Sequence, residues 1–205
     1  MAIKVAVNRA LTAITALPTA AALTDGNLTL LTTATASSSA TLSFTSNINS
    51  TYNSYLFKFI NIHSAADQNF SFNMSADSGS NYNVTKTSTA FEASHRENGT
   101  GGTLGYNTNR DLAQGTGFQV LSDTLSSSNN DANLCGSLLL YAPSSTTFVK
   151  HFIATTNFDD PNDPQYSFNY YIAGYGNTTS AVDAIQFKMA SGNIDAGTIK
   201  LYGVT

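Results

Sequence analysis

The sequence is poor in charge, cysteine and proline, and it has no tryptophan. Its 205 residues include nine lysines and arginines and thirteen aspartates and glutamates, which gives a formal net charge of −4. Because the few cations are scattered singly, no basic stripe is present to neutralise a phosphate backbone, and a nucleic-acid partner is not expected. The lone Cys135 excludes an internal disulfide framework and a structural zinc site. No run of eighteen apolar residues occurs, so membrane insertion is not expected.

Small neutral polar residues are abundant instead. Serine, threonine and asparagine occupy 72 positions, while 41% of the residues are hydrophobic and 22 are phenylalanine or tyrosine. This composition provides enough apolar area for a packed core, so the chain is not predicted to be disordered. Its length suits one large all-β domain or two small ones.

Apolar and polar residues alternate along seven segments, which is the pattern of strands with one buried face. Clusters of turn-forming residues separate the segments. The segments are residues 55–62, 70–74, 136–141, 148–153, 166–172, 185–189 and 198–202. With about eight to ten strands at this spacing and almost no helical periodicity, the sequence predicts an all-β fold, a jelly-roll β-sandwich.

The first part of the chain lacks this alternation. Residues 1–40 are predicted to form an extended N-terminal arm, and residues 41–205 the sandwich domain. The arm has a weak outline of a signal peptide, but Thr12, Thr15 and Pro18 interrupt it. Because it has few large apolar side chains, the arm cannot build its own core and is expected to lie across a neighbouring surface.

The least regular interval is 85–118, which is rich in glycine and is predicted to form long loops with one or two edge strands. Long loops on a rigid sandwich are where binding surfaces usually lie. Within this interval His95, Arg96 and Glu97 place an imidazole, a guanidinium and a carboxylate together. These groups can hydrogen-bond a sugar or a carboxylate ligand. A solvated loop with local ion pairs explains the three residues equally well.

No set of residues predicts catalysis. His151 lies within an alternating run and is interpreted as a half-buried structural imidazole. His63 lies near Ser64 and Asp67, but no Gly-x-Ser-x-Gly elbow supports a triad. The acidic cluster 159–163 has oxygen ligands for calcium without EF-hand spacing, so a turn is the default interpretation and calcium binding is left open. No phosphate loop, metal motif or dinucleotide fingerprint is present, and no cofactor is expected.

Two blocks of the sequence resemble a known family. The C-terminal block reads Ile-Gln-Phe at 185–187, Ser-Gly-Asn-Ile at 191–194 and Gly-Thr-Ile-Lys-Leu-Tyr-Gly at 197–203. It resembles the closing hairpin of jelly-roll domains in virion proteins of tailed phages, particularly marine and cyanobacterial phages. An earlier block, residues 55–82, resembles the first strands of the same domains. The resemblance covers residues 50–204 and is specific in the C-terminal hairpin.

The resemblance implies a non-enzymatic structural component of the virion, either a tail fibre or receptor-binding protein or a capsid decoration protein on the head. In the tail-fibre interpretation, four residues offer rings and hydrogen-bonding groups to a glycan on the host surface. These are Tyr82, His95, Arg96 and Tyr106. In both interpretations the arm docks on other virion proteins, and assembly into a homo-oligomer, a trimer, is expected.

Two alternatives lie outside this family. A carbohydrate-binding jelly-roll module outside any virus accounts for the sandwich, but less well for the N-terminal segment. A polysaccharide depolymerase needs two carboxylates that flank one bond, and the acidic residues are too thinly spread to predict such a pair.

Overall fold

The computed structural model describes residues 28–160 and 165–205, and these residues form twelve strands and no helix. The strands of the first half are β1 (Leu28–Thr35), β2 (Leu42–Phe44), β3 (Ser54–Ser64), β4 (Gln68–Ser75), β5 (Lys86–Arg96) and β6 (Gly102–Tyr106). Those of the second half are β7 (Gln119–Leu125), β8 (Leu134–Tyr141), β9 (Lys150–Asp160), β10 (Tyr166–Gly176), β11 (Ala184–Met189) and β12 (Ile194–Val204). The predicted all-β class is therefore confirmed.

The strands form two antiparallel sheets. The large sheet has eight strands in the order β1-β12-β3-β8-β9-β10-β5-β6, and the small sheet has four in the order β2-β11-β4-β7. Buried residues of both sheets belong to one hydrophobic cluster. Inner faces must exclude water while outer faces meet it, which produces the alternation seen in the sequence. The chain is a β-sandwich, as predicted.

A cluster of phenylalanine rings joins the two sheets. Phe187 of β11 lies at its centre, and the ring centroids of five other phenylalanines are 5.3 to 6.2 Å from its own. Those five are Phe44, Phe57, Phe59, Phe70 and Phe72, supplied by β2, β3 and β4. All six residues are at most 3% exposed, so this cluster is a fully dry part of the core.

The prediction of loops for residues 85–118 is wrong for β5, an eleven-residue strand between β10 and β6. The inward residues Lys86 and Ser88 are buried but polar, so the strand lacks an apolar alternation. Ser88 Oγ donates a 2.6 Å hydrogen bond to the side-chain oxygen of Gln119 on β7, which satisfies both groups away from water. β6 is an edge strand, in agreement with the prediction.

Buried Lys86 has polar surroundings of its own. Its Nζ donates to the carbonyl of Val84 at 2.8 Å and to the side-chain oxygen of Asn73. Asn73 Nδ2 in turn donates to the carbonyls of Tyr82 and Thr116, at 2.6 and 2.9 Å. Burial removes the ammonium group from water and lowers the pKa of Lys86 to about 7.

The predicted arm is described only in part, because residues 1–27 lie outside the described residues. Leu28–Thr35 forms β1, which pairs antiparallel with β12 at the edge of the large sheet. A register shift between Leu30 and Thr32 interrupts the pairing. This portion of the predicted arm is thus a strand of the sandwich.

We expect the stability of the fold to depend little on salt. Arg110 and Asp123 form an ion pair, NH2 to Oδ1 at 2.6 Å, and partial burial limits the effect of added salt on it. Most other polar side chains bond to uncharged partners, as Thr156 does to the carbonyl of Leu121. Thermal unfolding at about 0.05 and 0.5 M sodium chloride should give midpoints within about 3 °C of each other. A loss of about 10 °C at the higher concentration would contradict this expectation.

Candidate functional site

The outer face of the large sheet carries three aromatic residues in a row. Antiparallel partners point to the same face, and the register pairs Tyr171 of β10 with Phe91 of β5, and Phe91 with Tyr106 of β6. These residues are 48%, 46% and 46% exposed, respectively. A contiguous patch of exposed large apolar side chains often marks a binding surface. We call Tyr171, Phe91 and Tyr106 the aromatic row.

Side-chain contacts hold two of the three rings of the aromatic row, Phe91 and Tyr106, in place. The ring centroids of Phe91 and Tyr106 are 5.4 Å apart, and the ring planes meet at 89° in an edge-to-face contact. The Tyr106 hydroxyl donates a 2.6 Å hydrogen bond to Asp111 Oδ2. This bond favours the protonated phenol and raises the pKa of Tyr106. Leu104, which is 82% exposed, extends the apolar surface along β6.

A cleft of about 460 Å³ lies at one end of the same face, and we call it the polar cleft. It has three carboxylates, those of Glu97, Asp131 and Asp159. Uncharged groups complete the lining, and they come from Asn133, Cys135, Asn157, Phe158, Gln165 and Ser167. Partial burial, together with the nearby carboxylates, raises the pKa of Asp159. The polar cleft therefore combines negative charge with many hydrogen-bonding groups.

A second recess of about 460 Å³ lies at the opposite end of this face, and we call it the apolar groove. Its lining residues are Tyr141, His151, Phe152, Ile153, Ala173, Gly174 and Tyr175. The ring centroids of His151 and Tyr175 are 5.9 Å apart. The apolar groove thus adds further exposed rings to the surface.

The position of His151 corrects one sequence prediction. The interpretation of His151 as a half-buried structural residue is wrong, because the residue is exposed on the outer face. Its neighbour Lys150 is buried instead. Burial is possible because Lys150 Nζ donates to three carbonyls, those of Ser145, Phe148 and Thr178. Burial also lowers the pKa of Lys150.

The aromatic row and both recesses lie along β10. The outward residues of this strand are, in order, Tyr175, Ala173, Tyr171, Asn169 and Ser167. Tyr175 lines the apolar groove and Ser167 lines the polar cleft, so the two recesses are about 26 Å apart at the usual rise per residue. We call this surface, from groove to cleft and including the aromatic row, the outer track.

Two of the four residues predicted to bind a ligand face the outer side of the sheet. Tyr106 belongs to the aromatic row, and His95 is exposed at the end of β5 on the same face. Arg96 points to the other face, where its guanidinium carbon lies 5.0 Å from the centre of the Tyr166 ring and its Nε donates to the Tyr166 hydroxyl. The next residue, Glu97, lines the polar cleft.

Tyr82 lies away from the other three residues. It precedes β5, and its hydroxyl occupies the space beside Gly79, where an added Cβ would lie 2.8 Å from that oxygen. The length of β5, about 33 Å, separates this region from Arg96. The structure therefore does not join Tyr82, His95 and Arg96 into one site.

Sequence reasoning did not identify Phe91 or Tyr171. The sequence did contain one signal for Tyr171. Tyr170 and Tyr171 are adjacent in an alternating strand, so one of the two rings must face outward. Tyr170 is 1% exposed, and Tyr171 is the outward ring. Phe91 had no comparable signal, because the pairing of β5 with β10 is not visible in the local sequence.

His63 is held by structural contacts. Its Nδ1 lies 3.4 Å from Asp195 Oδ2, and its Nε2 lies 3.3 Å from the carbonyl oxygen of Asn129. The neighbouring Ser64 donates its hydroxyl to the carbonyl of Ala66. Among the described residues, His63 thus has an acidic partner and no serine partner.

The acidic cluster 159–163 is described only at Asp159 and Asp160, which end β9, and the rest lies outside the described residues. Within residues 28–160 and 165–205, no three His, Cys, Asp or Glu side chains are placed to hold a metal ion. The described residues also include no helix long and apolar enough to cross a membrane.

Comparison with other proteins gives no assignment, because no family model, curated protein or solved structure matches the chain. The side chains of the outer track are therefore the basis for inferring a function. They combine aromatic rings, uncharged hydrogen-bonding groups and carboxylates. Such a surface suits a hydroxylated ligand that carries no negative charge.

Proposed function

We propose that this chain is a non-enzymatic structural component of a tailed-phage virion, of the tail-fibre or receptor-binding type. The outer track carries the proposal, because a rigid sheet that exposes a row of rings between two recesses is suited to hold a ligand outside a particle. The sequence of residues 185–203, which resembles the closing hairpin of phage virion domains, supports the class of protein. The expected pairing of its two strands is wrong, because β11 lies in the small sheet and β12 in the large sheet. Ile185, Phe187 and Ile199, which carry the resemblance, are fully buried, and this explains why large apolar residues occupy these positions.

The strand order supports a jelly roll. The small sheet reads β2-β11-β4-β7, and the large sheet reads β3-β8-β5-β6 once β1, β12 and the β9-β10 hairpin are set aside. Apart from the consecutive β5 and β6, these eight strands alternate between the two sheets, an arrangement that is typical of the two Greek keys of a jelly roll. The β9-β10 hairpin is then an insertion that widens the large sheet and supplies much of the outer track.

The proposal includes an N-terminal arm that docks on other virion proteins, and a trimeric assembly located in the virion. β1 supports docking through this end of the chain, because it is an edge strand whose Leu28 and Leu30 are 43% and 51% exposed. Edge strands with exposed apolar side chains favour contact with another chain.

Two alternatives make different demands on the outer track. A capsid decoration protein, on the head surface or as a head fibre, would have the same fold without needing the track. A carbohydrate-binding module outside a virus would use the track without attaching to a particle. Location on the particle and ligand binding together separate the three functions.

Immunogold labelling of the phage that encodes the sequence tests the proposal. We expect antibodies against the purified chain to label the tail, and the purified chain to compete with particles for adsorption to host cells. Label on the head would favour decoration, and no label together with ligand binding would favour a module outside a virus. Polysaccharide incubated with the chain should gain no reducing ends; their release would contradict a non-enzymatic role.

A further inference from the structure

We infer that the outer track binds a linear, uncharged polysaccharide, and that the carboxylates of the polar cleft exclude acidic polysaccharides. The inference rests on the proposed function, since it names the ligand class for the receptor-binding role. Three properties of the track lead to it: its rings, its uncharged polar groups and its charge.

The aromatic row provides a surface on which sugar rings can pack. The C–H faces of a sugar are apolar, and an aromatic ring offers them a large contact area beside its polar neighbours. Tyr106 is fixed by its hydrogen bond to Asp111 and by its edge-to-face contact with Phe91, so these rings lose little freedom when a ligand binds. Three neighbouring rings, two of them fixed, favour an extended ligand that reaches several of them.

Uncharged polar groups lie between the aromatic row and the polar cleft. Thr155 of β9 pairs with Tyr171, and Asn157 of β9 pairs with Asn169 of β10, so all four side chains share the outer face. Asn169 is exposed, and its side-chain amide has no hydrogen-bond partner within the described residues. Amides and hydroxyls both donate and accept, which matches the hydroxyl groups of a sugar. Their distribution along β10 suits a linear chain of several sugar units.

The charge of the outer track limits which polysaccharides can bind. Glu97, Asp131 and Asp159 line the polar cleft, and within the described residues neither recess is lined by a lysine or arginine. Arg96 points away and contacts Tyr166. An acidic polysaccharide would bring its own anions beside these carboxylates with no cation between them, and like charges repel. A neutral polysaccharide meets no such repulsion.

A second copy of the chain is the main alternative occupant of this face. The centre of a stable protein interface is depleted of charged groups and is more apolar than the surrounding surface. The outer track instead has three carboxylates at one end, with Thr155, Asn157 and Asn169 through its middle. This composition favours a hydroxylated ligand over a second protein surface.

Affinity electrophoresis and isothermal titration calorimetry of the full chain test the inference. The neutral probes are linear dextran and linear β-1,4-mannan, and the anionic probes are alginate and hyaluronan. We expect a neutral probe to bind and the anionic probes not to bind. Tyr171→Ala should weaken binding about tenfold, because a stacked ring is lost. Tyr202→Ala is the matched control, since Tyr202 lies on the same face but on β12, beyond β3, β8 and β9, and its loss should leave the affinity unchanged.

A second pair of substitutions tests the role of charge. Glu97→Gln combined with Asp159→Asn keeps the shape of the polar cleft and removes two negative charges, so affinity for alginate should rise about tenfold. The inference is wrong if no neutral probe binds, if alginate binds the unmodified chain more tightly, or if Tyr202→Ala weakens binding as much as Tyr171→Ala. It is also wrong if Tyr171→Ala dissociates an oligomer by light scattering without loss of polysaccharide binding. If antibodies label the tail of the particle but the purified chain binds no probe, this inference is overturned and the proposed function stands.

Discussion

Replacing Phe187 with alanine should lower the free energy of unfolding by about 3–5 kcal/mol, which is a large fraction of the stability of a typical domain. Phe187 is fully buried, and five other phenylalanine rings surround it. Those rings come from three strands in both sheets, so no single side chain can move to fill the space. The alanine variant therefore loses the transfer energy of the ring and gains a cavity between the sheets.

Chemical denaturation of matched variants checks this expectation. Phe148 is 71% exposed, so Phe148→Ala is the control and should change the free energy of unfolding by less than about 0.5 kcal/mol. Phe187→Leu keeps most of the side-chain volume. Its loss of free energy of unfolding should therefore lie between those of Phe148→Ala and Phe187→Ala, at about 1–2 kcal/mol. A loss of less than about 1 kcal/mol for Phe187→Ala would show that the ring cluster does not hold the sheets together.

The second large effect should appear as a dependence of stability on pH. Lys86 has a pKa of about 7 in the folded chain, against a usual value of 10.5, because burial disfavours its charged form. Between these values the unfolded chain holds the proton and the folded chain has released it. Stability therefore rises with pH in this window, since the unfolded state binds more protons there. From pH 7 to pH 9 this one group should add about 2 kcal/mol to the free energy of unfolding.

Comparing the unmodified chain with Lys86→Met isolates this contribution, because all other titrating groups are common to both. The free energy of unfolding, measured at pH 7, 8 and 9, should rise more steeply for the unmodified chain. Lys58 is exposed, so Lys58→Met is a matched control that should keep the steep dependence. Equal slopes for the unmodified chain and Lys86→Met would mean that Lys86 stays charged in the folded state.

The alternation of apolar residues predicted the fold class, but it did not predict β5, whose inward-facing residues are partly polar. The segment 70–74 places Phe70, Phe72 and Met74 inward, and it lies in a buried strand as expected. β5 directs Lys86 and Ser88 inward, where they donate hydrogen bonds to Asn73 of β4 and Gln119 of β7, and these bonds make burial possible. Such partners are known only once the chain has folded, so no local pattern reveals this strand.

The candidate site was less predictable than the fold, because it is built from strand pairings. Tyr106 was identified by its chemistry alone, while Tyr171 and Phe91 join it only through the register of β10, β5 and β6. Residue type suggested Arg96 as well, yet alternation along β5 directs it to the face opposite His95. A surface made by three strands has no signature within any one of them.

The topology also governs when the protein can fold during its synthesis. β1 pairs with β12 and β2 pairs with β11, and a hydrogen bond between Thr35 and Thr198 spans 163 positions of sequence. On the ribosome, β3 and β4 therefore each keep an unpaired edge until β12 and β11, respectively, have been synthesised, and closing such long loops makes folding slow. A nascent chain that stops before Phe187 lacks the centre of the ring cluster as well as the strand that closes the small sheet. Only a chain synthesised through β12 can close both sheets, so partial translation products are expected to remain open and prone to aggregate.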